Sequence, residues 1–183
     1  MARKPDLPLH DVRRFLEPGP VVLVTSAHAG ERDVMVMGWH TVMEFSPSLI
    51  GCVISPANHS HGLIRASGEC VINLPTADMV DQVVAIGNCS GEDTDKFTTF
   101  GLTAQPAEKV GAPLIAECYA NFECKLAQLA GNPKGGFFIF ECVKAHVATS
   151  PKLPETLHYR GNGEFMVSGR TISRKSLMKP EMR

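Results

Sequence analysis

The chain has 183 residues, 44% hydrophobic and 20% charged, which suits one domain over residues 1–183 with a core at about residues 18–170. The formal net charge of −1 and the scattered Lys and Arg residues make nucleic acid a poor partner. No apolar run reaches the roughly 20 residues that span a bilayer, and residues 1–20 lack the apolar segment of a secretory signal, so we expect a cytoplasmic protein without a membrane partner.

The first third of the chain predicts a hairpin followed by a third strand. Residues 21–26 form a β-branched run, residues 29–33 supply turn chemistry, and residues 34–41 resume an apolar stretch. Residues 48–55 are a short continuous apolar run that Pro56 ends, as expected of a buried strand.

Two helices are predicted on either side of a further strand. Ser60 can cap the first helix, and Gly68 supplies its left-handed end. Residues 70–74 form another buried strand. Thr76 opens the second helix and Gly87 closes it.

The second half of the chain combines loops with a long hairpin. Residues 88–99 and 105–113 are loops by composition, while residues 119–129 alternate apolar and polar side chains as a half-buried strand does. A turn at residues 132–136 then joins them to a long strand at residues 137–148.

This order of elements favours a mainly β fold, with several strands separated by tight turns and two helices inserted at one point. The tail at residues 157–172 adds a last turn and a short strand. We expect a closed antiparallel barrel. A doubly wound parallel sheet is disfavoured, because strands do not alternate with helices and no G-x-G-x-x-G follows the first strand.

The six cysteines contain no C-x-x-C pair, so their spacing predicts neither a zinc site nor a dithiol. The histidines suggest no metal either, because His59 and His61 are two residues apart and point in different directions. Cys89 lies beside glycines in a polar segment. The cysteines within apolar, strand-like runs are expected to be small buried hydrophobes: Cys52, Cys70, Cys124 and Cys142.

A run of small and polar side chains leads from the strand at residues 48–55 into the first helix. Backbone N–H groups are unpaired at a helix N-terminus and can hold a phosphate there, with Asn58, His59 and Ser60 adding hydrogen bonds. The alternative is that Ser60 is simply an N-cap and the polar run a solvated loop.

The only tryptophan of the chain, Trp39, follows Gly38 at the end of a predicted strand. A glycine in a strand commonly marks close approach by a ligand or another backbone, and a flat aromatic ligand needs such access. The alternative is a bulge in which Trp39 anchors the core.

Taken in order, several segments resemble the flavin-reductase-like FMN-binding split barrels, and most closely their flavoredoxin branch. The segments are PVVLVTS from Pro20, MVMGWHT from Met35, SPSL from Ser46, SHGLIRASGECVINLP from Ser60 and SGEDTDKF from Ser90. The resemblance covers most of the chain and implies an antiparallel Greek-key split β-barrel that binds FMN as a homodimer.

The site residues of this family carry over onto matching positions. The strand end that lies against the isoalloxazine ring matches Met37, Gly38, Trp39 and His40. The segment that holds the ribityl phosphate matches Ser55, Asn58, His59 and Ser60. The loop that borders the flavin, in some members from the neighbouring subunit, matches Cys89, Ser90, Lys96 and Phe97. An aromatic residue near Phe165 is expected to cover the pocket, and the homodimer interface to contain the flavin site.

Two features depart from the family pattern. Many relatives carry a basic residue where this chain has Pro56, so phosphate binding would rely on backbone amides and on Asn58 or His59. A ferric-reductase-like branch has a cysteine near Val53 and a histidine near Gly135; here Cys52 is one position away and no histidine matches, so that branch's chemistry is not expected.

The resemblance implies an oxidoreductase in which NADH or NADPH passes a hydride to flavin N5 and the flavin then reduces a second acceptor. Free flavin, a metal complex or a partner monooxygenase can be that acceptor. No catalytic side chain is identified, since the reactive atom belongs to the cofactor. One alternative is a flavoredoxin-like carrier that exchanges electrons with redox protein partners and has no pyridine-nucleotide activity. The other is a ligand-binding barrel without flavin.

Overall fold

A seven-stranded antiparallel sheet forms the centre of the computed structural model, which describes residues 19–131, 136–177 and 179. In chain order the strands of this described part are β1 (Val22–His28), β2 (Glu31–Met37), β3 (His40–Phe45), β4 (Ser48–Ile54), β5 (Glu69–Leu74), β6 (Ala104–Gln105), β7 (Leu114–Ile115), β8 (Ala120–Ala130), β9 (Gly136–Val147), β10 (Leu157–Gly161) and β11 (Glu164–Val167). The large sheet has the order β2-β1-β5-β8-β9-β4-β3, while β6 pairs with β7 and β10 with β11. The mainly β prediction is confirmed.

Helices occupy some of the connections between strands. They are α1 (His59–Ser67), α2 (Val80–Gly87) and α3 (Lys96–Thr99), with 3₁₀ turns at Ala77–Met79 and Lys175–Leu177. Among the described residues, no helix has the length and apolar character that a membrane crossing requires.

The β1–β2 hairpin forms where the turn chemistry predicted it. At its turn, Ala29 and Gly30 have φ angles of 51° and 86°. Two successive left-handed residues match the right-handed twist of the strands they join, and glycine adopts this conformation without strain. The turn sets the register, with Val24 opposite Met35.

The apolar stretch at residues 34–41 is not one strand, as the sequence suggested. β2 ends at Met37, Gly38 and Trp39 lie between the strands, and β3 begins at His40 and pairs with β4. The prediction missed β3 and its hairpin with β4 because the apolar stretch was extended past Gly38 to residue 41.

Alternation along the strands divides the apolar side chains between two cores. On β1, Val24 packs in one core with Ile64 of α1. The neighbouring Leu23 faces the opposite side and packs with Val83 of α2 and Phe97 of α3. The sheet is therefore covered on one side by α1 and on the other by α2 and α3.

The cysteines predicted to be buried are confirmed as core residues. Cys52, Cys70 and Cys124 are fully buried, and the partly buried Cys142 packs against them. Cys124 lies opposite both Cys70 and Cys142 on the neighbouring strands. Burial raises the pKa of the Cys52 thiol to about 12. Such thiols stay neutral at physiological pH and act as apolar packing groups.

The helix starts differ from the predictions in detail. α1 begins at His59 with Asn58 as its N-cap, so Ser60 is not the cap but a buried residue of the first turn. A 3₁₀ turn after Thr76 precedes α2. The loop predicted at residues 88–99 ends in α3, because Asp95 caps that helix by accepting hydrogen bonds from the N–H groups at positions 97 (3.1 Å) and 98 (3.4 Å).

Two further predictions concern chain reversals. The tail turn is confirmed, since Asn162 and Gly163 have positive φ angles between β10 and β11. Residues 132–135 of the predicted turn between β8 and β9 lie outside the described residues.

Candidate functional site

A cavity of about 640 Å³ lies at the end of β2, between α2 and the β10–β11 hairpin. Its walls are mostly apolar, and its lining residues are Val21, Met35, Val36, Met37, Gly38, Trp39, Val53, Ser55, Asn58, Val83, Val84, Gly87, Asn88, Tyr159, Gly163 and Phe165. This volume and lining are typical of a site for a flat, largely apolar small molecule.

The β10–β11 hairpin supplies an aromatic wall to this cavity. The rings of Tyr159 and Phe165 have their centroids 5.1 Å apart. The Tyr159 hydroxyl accepts a hydrogen bond of 3.3 Å from the N–H of Gly163. These contacts hold both aromatic side chains in the hairpin that borders the cavity. That Phe165 covers a flavin there stays a prediction.

A second, polar cavity of about 250 Å³ adjoins the first and shares Met35, Asn58, Gly87 and Asn88 with it. Its other lining residues are Asp33, Ala57, His59, Cys89, Ser90, Gly91 and Lys96. The two cavities are therefore neighbours, a large and mostly apolar one beside a smaller and polar one.

A buried ion pair lies at the polar cavity. The side chains of Asp33 and Lys96 are 2% and 5% exposed, and Lys96 Nζ is 3.3 Å from Asp33 Oδ1. Lys96 Nζ also donates to the carbonyl of Val34 at 2.7 Å. The Ser60 hydroxyl donates to Asp33 Oδ2 at 2.5 Å. These bonds connect β2, α1 and α3 beneath the polar cavity.

The entrance to α1 contributes the other polar groups. The Asn58 side chain does not cap the helix; its amide nitrogen donates to the Ser55 carbonyl at 3.3 Å. The N–H of His61 donates to the Asn58 carbonyl at 3.0 Å. With no side-chain cap, other N–H groups at the start of α1 can donate to an anionic or polar ligand. His59 Nε2 lies 2.7 Å from a carboxylate oxygen of Glu31.

Most residues singled out from the sequence meet at these cavities. Those in contact with the large cavity are Met37, Gly38, Trp39, Ser55 and Asn58, and those at the polar cavity are Asn58, His59, Cys89, Ser90 and Lys96. Their proposed contacts with a cofactor stay predictions.

Three of the predicted residues lie outside both linings. His40 Nε2 is 2.7 Å from the Pro20 carbonyl. Ser60 is buried and binds Asp33. Phe97 is buried in the core beneath the site, with the Arg32 guanidinium 4.4 Å from its ring centroid. Their predicted contacts with a cofactor also stay predictions.

Other lining residues were missed by the sequence analysis. Asp33 was assigned to a turn, because turns are rich in aspartate. Val83 of α2 and Tyr159 of β10 have the apolar or aromatic character of ordinary core residues, and nothing local distinguishes them. Only the tertiary fold brings these segments to the end of β2.

Residues 13–165 match the sequence model of the family described as flavin reductase like domain. The chain belongs to this family. The match includes every residue that lines the two cavities, from Val21 to Phe165.

Three members or structural neighbours of the flavin reductase like family illustrate the likeness. The uncharacterized protein YddH of Escherichia coli is 29% identical over 187 residues, or 94% of this chain and 99% of that protein. The solved structure of flavoredoxin from Desulfovibrio vulgaris (Miyazaki F) has a TM-score of 0.78 at 25% identity, covering 86% of this chain and 91% of that one. An FMN-binding domain of a flavin reductases-like enzyme from Shewanella baltica has a TM-score of 0.75 at 26% identity, covering 92% and 96%.

Proposed function

We propose that this protein is an FMN-dependent oxidoreductase that takes electrons from NADH or NADPH and passes them to a second acceptor. The observation that carries the proposal is a large, mostly apolar cavity beside a smaller, polar one that shares four of its lining residues. FMN has the same division into a flat ring system and a polar chain that ends in phosphate.

The large cavity suits the isoalloxazine ring. Met37 and Trp39 supply apolar and aromatic surface on either side of Gly38, which has no side chain to obstruct a planar ligand. Val83 of α2 and the two aromatic residues of the β10–β11 hairpin complete the walls. Such walls hold a flat ring by dispersion and keep water away from it.

The polar cavity suits the ribityl phosphate chain. Ser90, Asn58 and the first-turn N–H groups of α1 can bind hydroxyl or phosphate oxygens. Gly91 leaves no side chain between the loop and Asp33. When bound, FMN supplies N5, the atom that takes up and gives away a hydride, so the chain's own residues bind, orient and shield.

The same proposal includes a homodimer with the flavin site at its interface, and closure of the sheet as a split barrel. The edge strand β3 exposes Val42, Met43 and Phe45, the last to 89%. Trp39 and Val53, which line the large cavity, are exposed beside it. An apolar face of this kind on an edge strand favours burial against a second copy of the chain.

A flavoredoxin-like electron carrier is the second candidate. The likeness to the Desulfovibrio vulgaris flavoredoxin, at 25% identity and a TM-score of 0.78, supports it. Such a carrier would hold FMN in the same site but exchange electrons with protein partners instead of pyridine nucleotides.

Anaerobic absorbance spectroscopy of the protein with FMN distinguishes these functions. Bleaching of the flavin band within seconds of adding NADH or NADPH supports the oxidoreductase and identifies its donor. FMN that stays oxidised until a reduced redox protein is added supports the carrier. A protein that gains no yellow colour with FMN contradicts both.

A further inference from the structure

The charges that line the polar cavity balance one another. Among the described lining residues, the charged side chains are Asp33 and Lys96, and His59 is the titratable imidazole. Asp33 and Lys96 carry opposite charges and are both almost fully buried. Within the part of the chain that the structure describes, the charges of the lining residues therefore cancel at the end of the site where a phosphate would lie.

Lys96 is held in place and is not a free cation. Its ammonium group lies 3.3 Å from Asp33 Oδ1 and donates to the Val34 carbonyl at 2.7 Å. Ser60 fixes the other carboxylate oxygen at 2.5 Å. Gly91 packs directly on the carboxylate, since any Cβ there would overlap it. These contacts place the Asp33 carboxylate directly beside the Lys96 ammonium group.

The neighbouring basic groups are also paired. His59 Nε2 lies 2.7 Å from a Glu31 carboxylate oxygen. Arg32 lies over the Phe97 ring and 3.9 Å from Asp95, and it does not line the cavity. Pro56 brings no charge to the entrance of α1.

A phosphate monoester carries about two negative charges near neutral pH, and a cation that is not already neutralised stabilises it beyond what neutral hydrogen-bond donors provide. Here the repulsion from Asp33 offsets the attraction of Lys96. Hydrogen-bond donors such as Ser90 and the first-turn N–H groups of α1 serve a hydroxyl as well as a phosphate oxygen.

We propose that this site recognises the ring and polyol chain of a flavin but does not select for the phosphate, so that riboflavin and FMN bind with comparable affinity. This inference rests on the proposed flavin-binding function. It assigns Asp33 the role of a specificity-determining residue, acting through Lys96.

Equilibrium titration of the full-length, flavin-free protein with FMN and with riboflavin tests the proposal. Quenching of flavin fluorescence gives both dissociation constants, and we expect them to agree within about tenfold. Their ratio should change little between low and high salt, because no net charge is recognised. An FMN affinity about a hundredfold or more above that of riboflavin would overturn this inference and leave the proposed function intact. Binding of neither flavin would overturn both.

The Asp33→Asn variant gives a second, independent measurement. It keeps the shape of the side chain but leaves Lys96 with an uncompensated charge. The affinity for FMN should therefore rise at least about tenfold relative to the affinity for riboflavin. That gain should shrink at high salt. Glu141→Gln, an equal change of charge at an exposed position outside both linings, should leave the ratio unchanged. An unchanged ratio in a folded Asp33→Asn protein would contradict the role of Asp33.

Discussion

At the scale of single residues, Glu123 of β8 is a buried charge with a purely structural set of contacts. Its carboxylate accepts hydrogen bonds from the N–H groups of Glu108 (3.0 Å) and Lys109 (2.6 Å), and it lies 2.7 Å from His146 Nε2. Burial alone would raise the pKa of Glu123, but the bonds from His146 and the two N–H groups outweigh it and lower the pKa. The charged form therefore fixes the segment before β7 to the sheet.

The Glu123→Gln variant should unfold more easily by about 1–3 kcal/mol at neutral pH, because an amide cannot satisfy the same donors. The pKa of Glu123 is lower in the folded state than its ordinary value of 4.5. The charged carboxylate therefore stabilises the wild type fully above pH 4.5, and this stabilisation is lost as the pH falls through the pKa of the folded state. Denaturant unfolding at about pH 7 and about pH 4 should show the wild-type advantage shrinking in acid. The exposed Glu141→Gln control should show neither effect, and an equal loss at both pH values would contradict the argument.

At the scale of elements, the loop between α2 and α3 forms one wall of the polar cavity. Gly91 in this loop lies directly against Asp33, and a Cβ at this position would meet the carboxylate at under 3.0 Å. Ser60 and Lys96 contact that carboxylate, so moving it aside would disturb both contacts. The loop position therefore depends on the absence of a side chain at residue 91.

The Gly91→Ala variant should displace this loop and weaken flavin binding by at least about tenfold, measured by fluorescence titration. Its Tm should fall by about 2–4 °C for each kcal/mol lost. Gly62→Ala is the matched control, because nothing lies within 4 Å of its added Cβ on the exposed face of α1. That control should gain about 0.5–1 kcal/mol in stability with unchanged flavin affinity. Normal binding by Gly91→Ala would show that the loop tolerates a side chain.

Elements with a local signal were predictable from the sequence. The β1–β2 hairpin has left-handed residues at its turn, and β8 alternates apolar and polar side chains, so short-range chemistry determines both. β3 was missed because the apolar stretch was extended to residue 41, past the break at Gly38 and Trp39. Short-range signals thus give the order of most strands but not every break between them.

The candidate site was predictable only in the segments that carry unusual residues. Gly38 with Trp39, and the polar run that contains Asn58, are local anomalies and were found. The pairing of Asp33 with Lys96 depends on packing between segments far apart in the chain, and no local pattern encodes it. The apolar walls from α2 and β10 were missed because apolar residues look alike in a core and in a pocket.

At the scale of the whole molecule, the exposed apolar side chains of β3 form the surface that the proposed homodimer would bury. Phe45 and Val42 are 89% and 68% exposed on an edge strand. Trp39, which precedes β3 and lines the large cavity, is 55% exposed. A second copy packed on this face would shield both the edge strand and the opening of the cavity.

The Phe45→Asp variant should therefore become a monomer, because an unpaired charge in the centre of an apolar interface costs several kcal/mol. Size-exclusion chromatography with light scattering should give the mass of two chains for the wild type and of one for the variant. Flavin affinity should fall with the loss of the partner, since Trp39 and Val53 lie at the same face. Leu153→Asp, at a similarly exposed leucine between β9 and β10, should stay a dimer with normal binding. A monomeric wild type would contradict the proposed homodimer. A Phe45→Asp variant that stays a dimer and binds flavin normally would show that the dimer interface does not include β3.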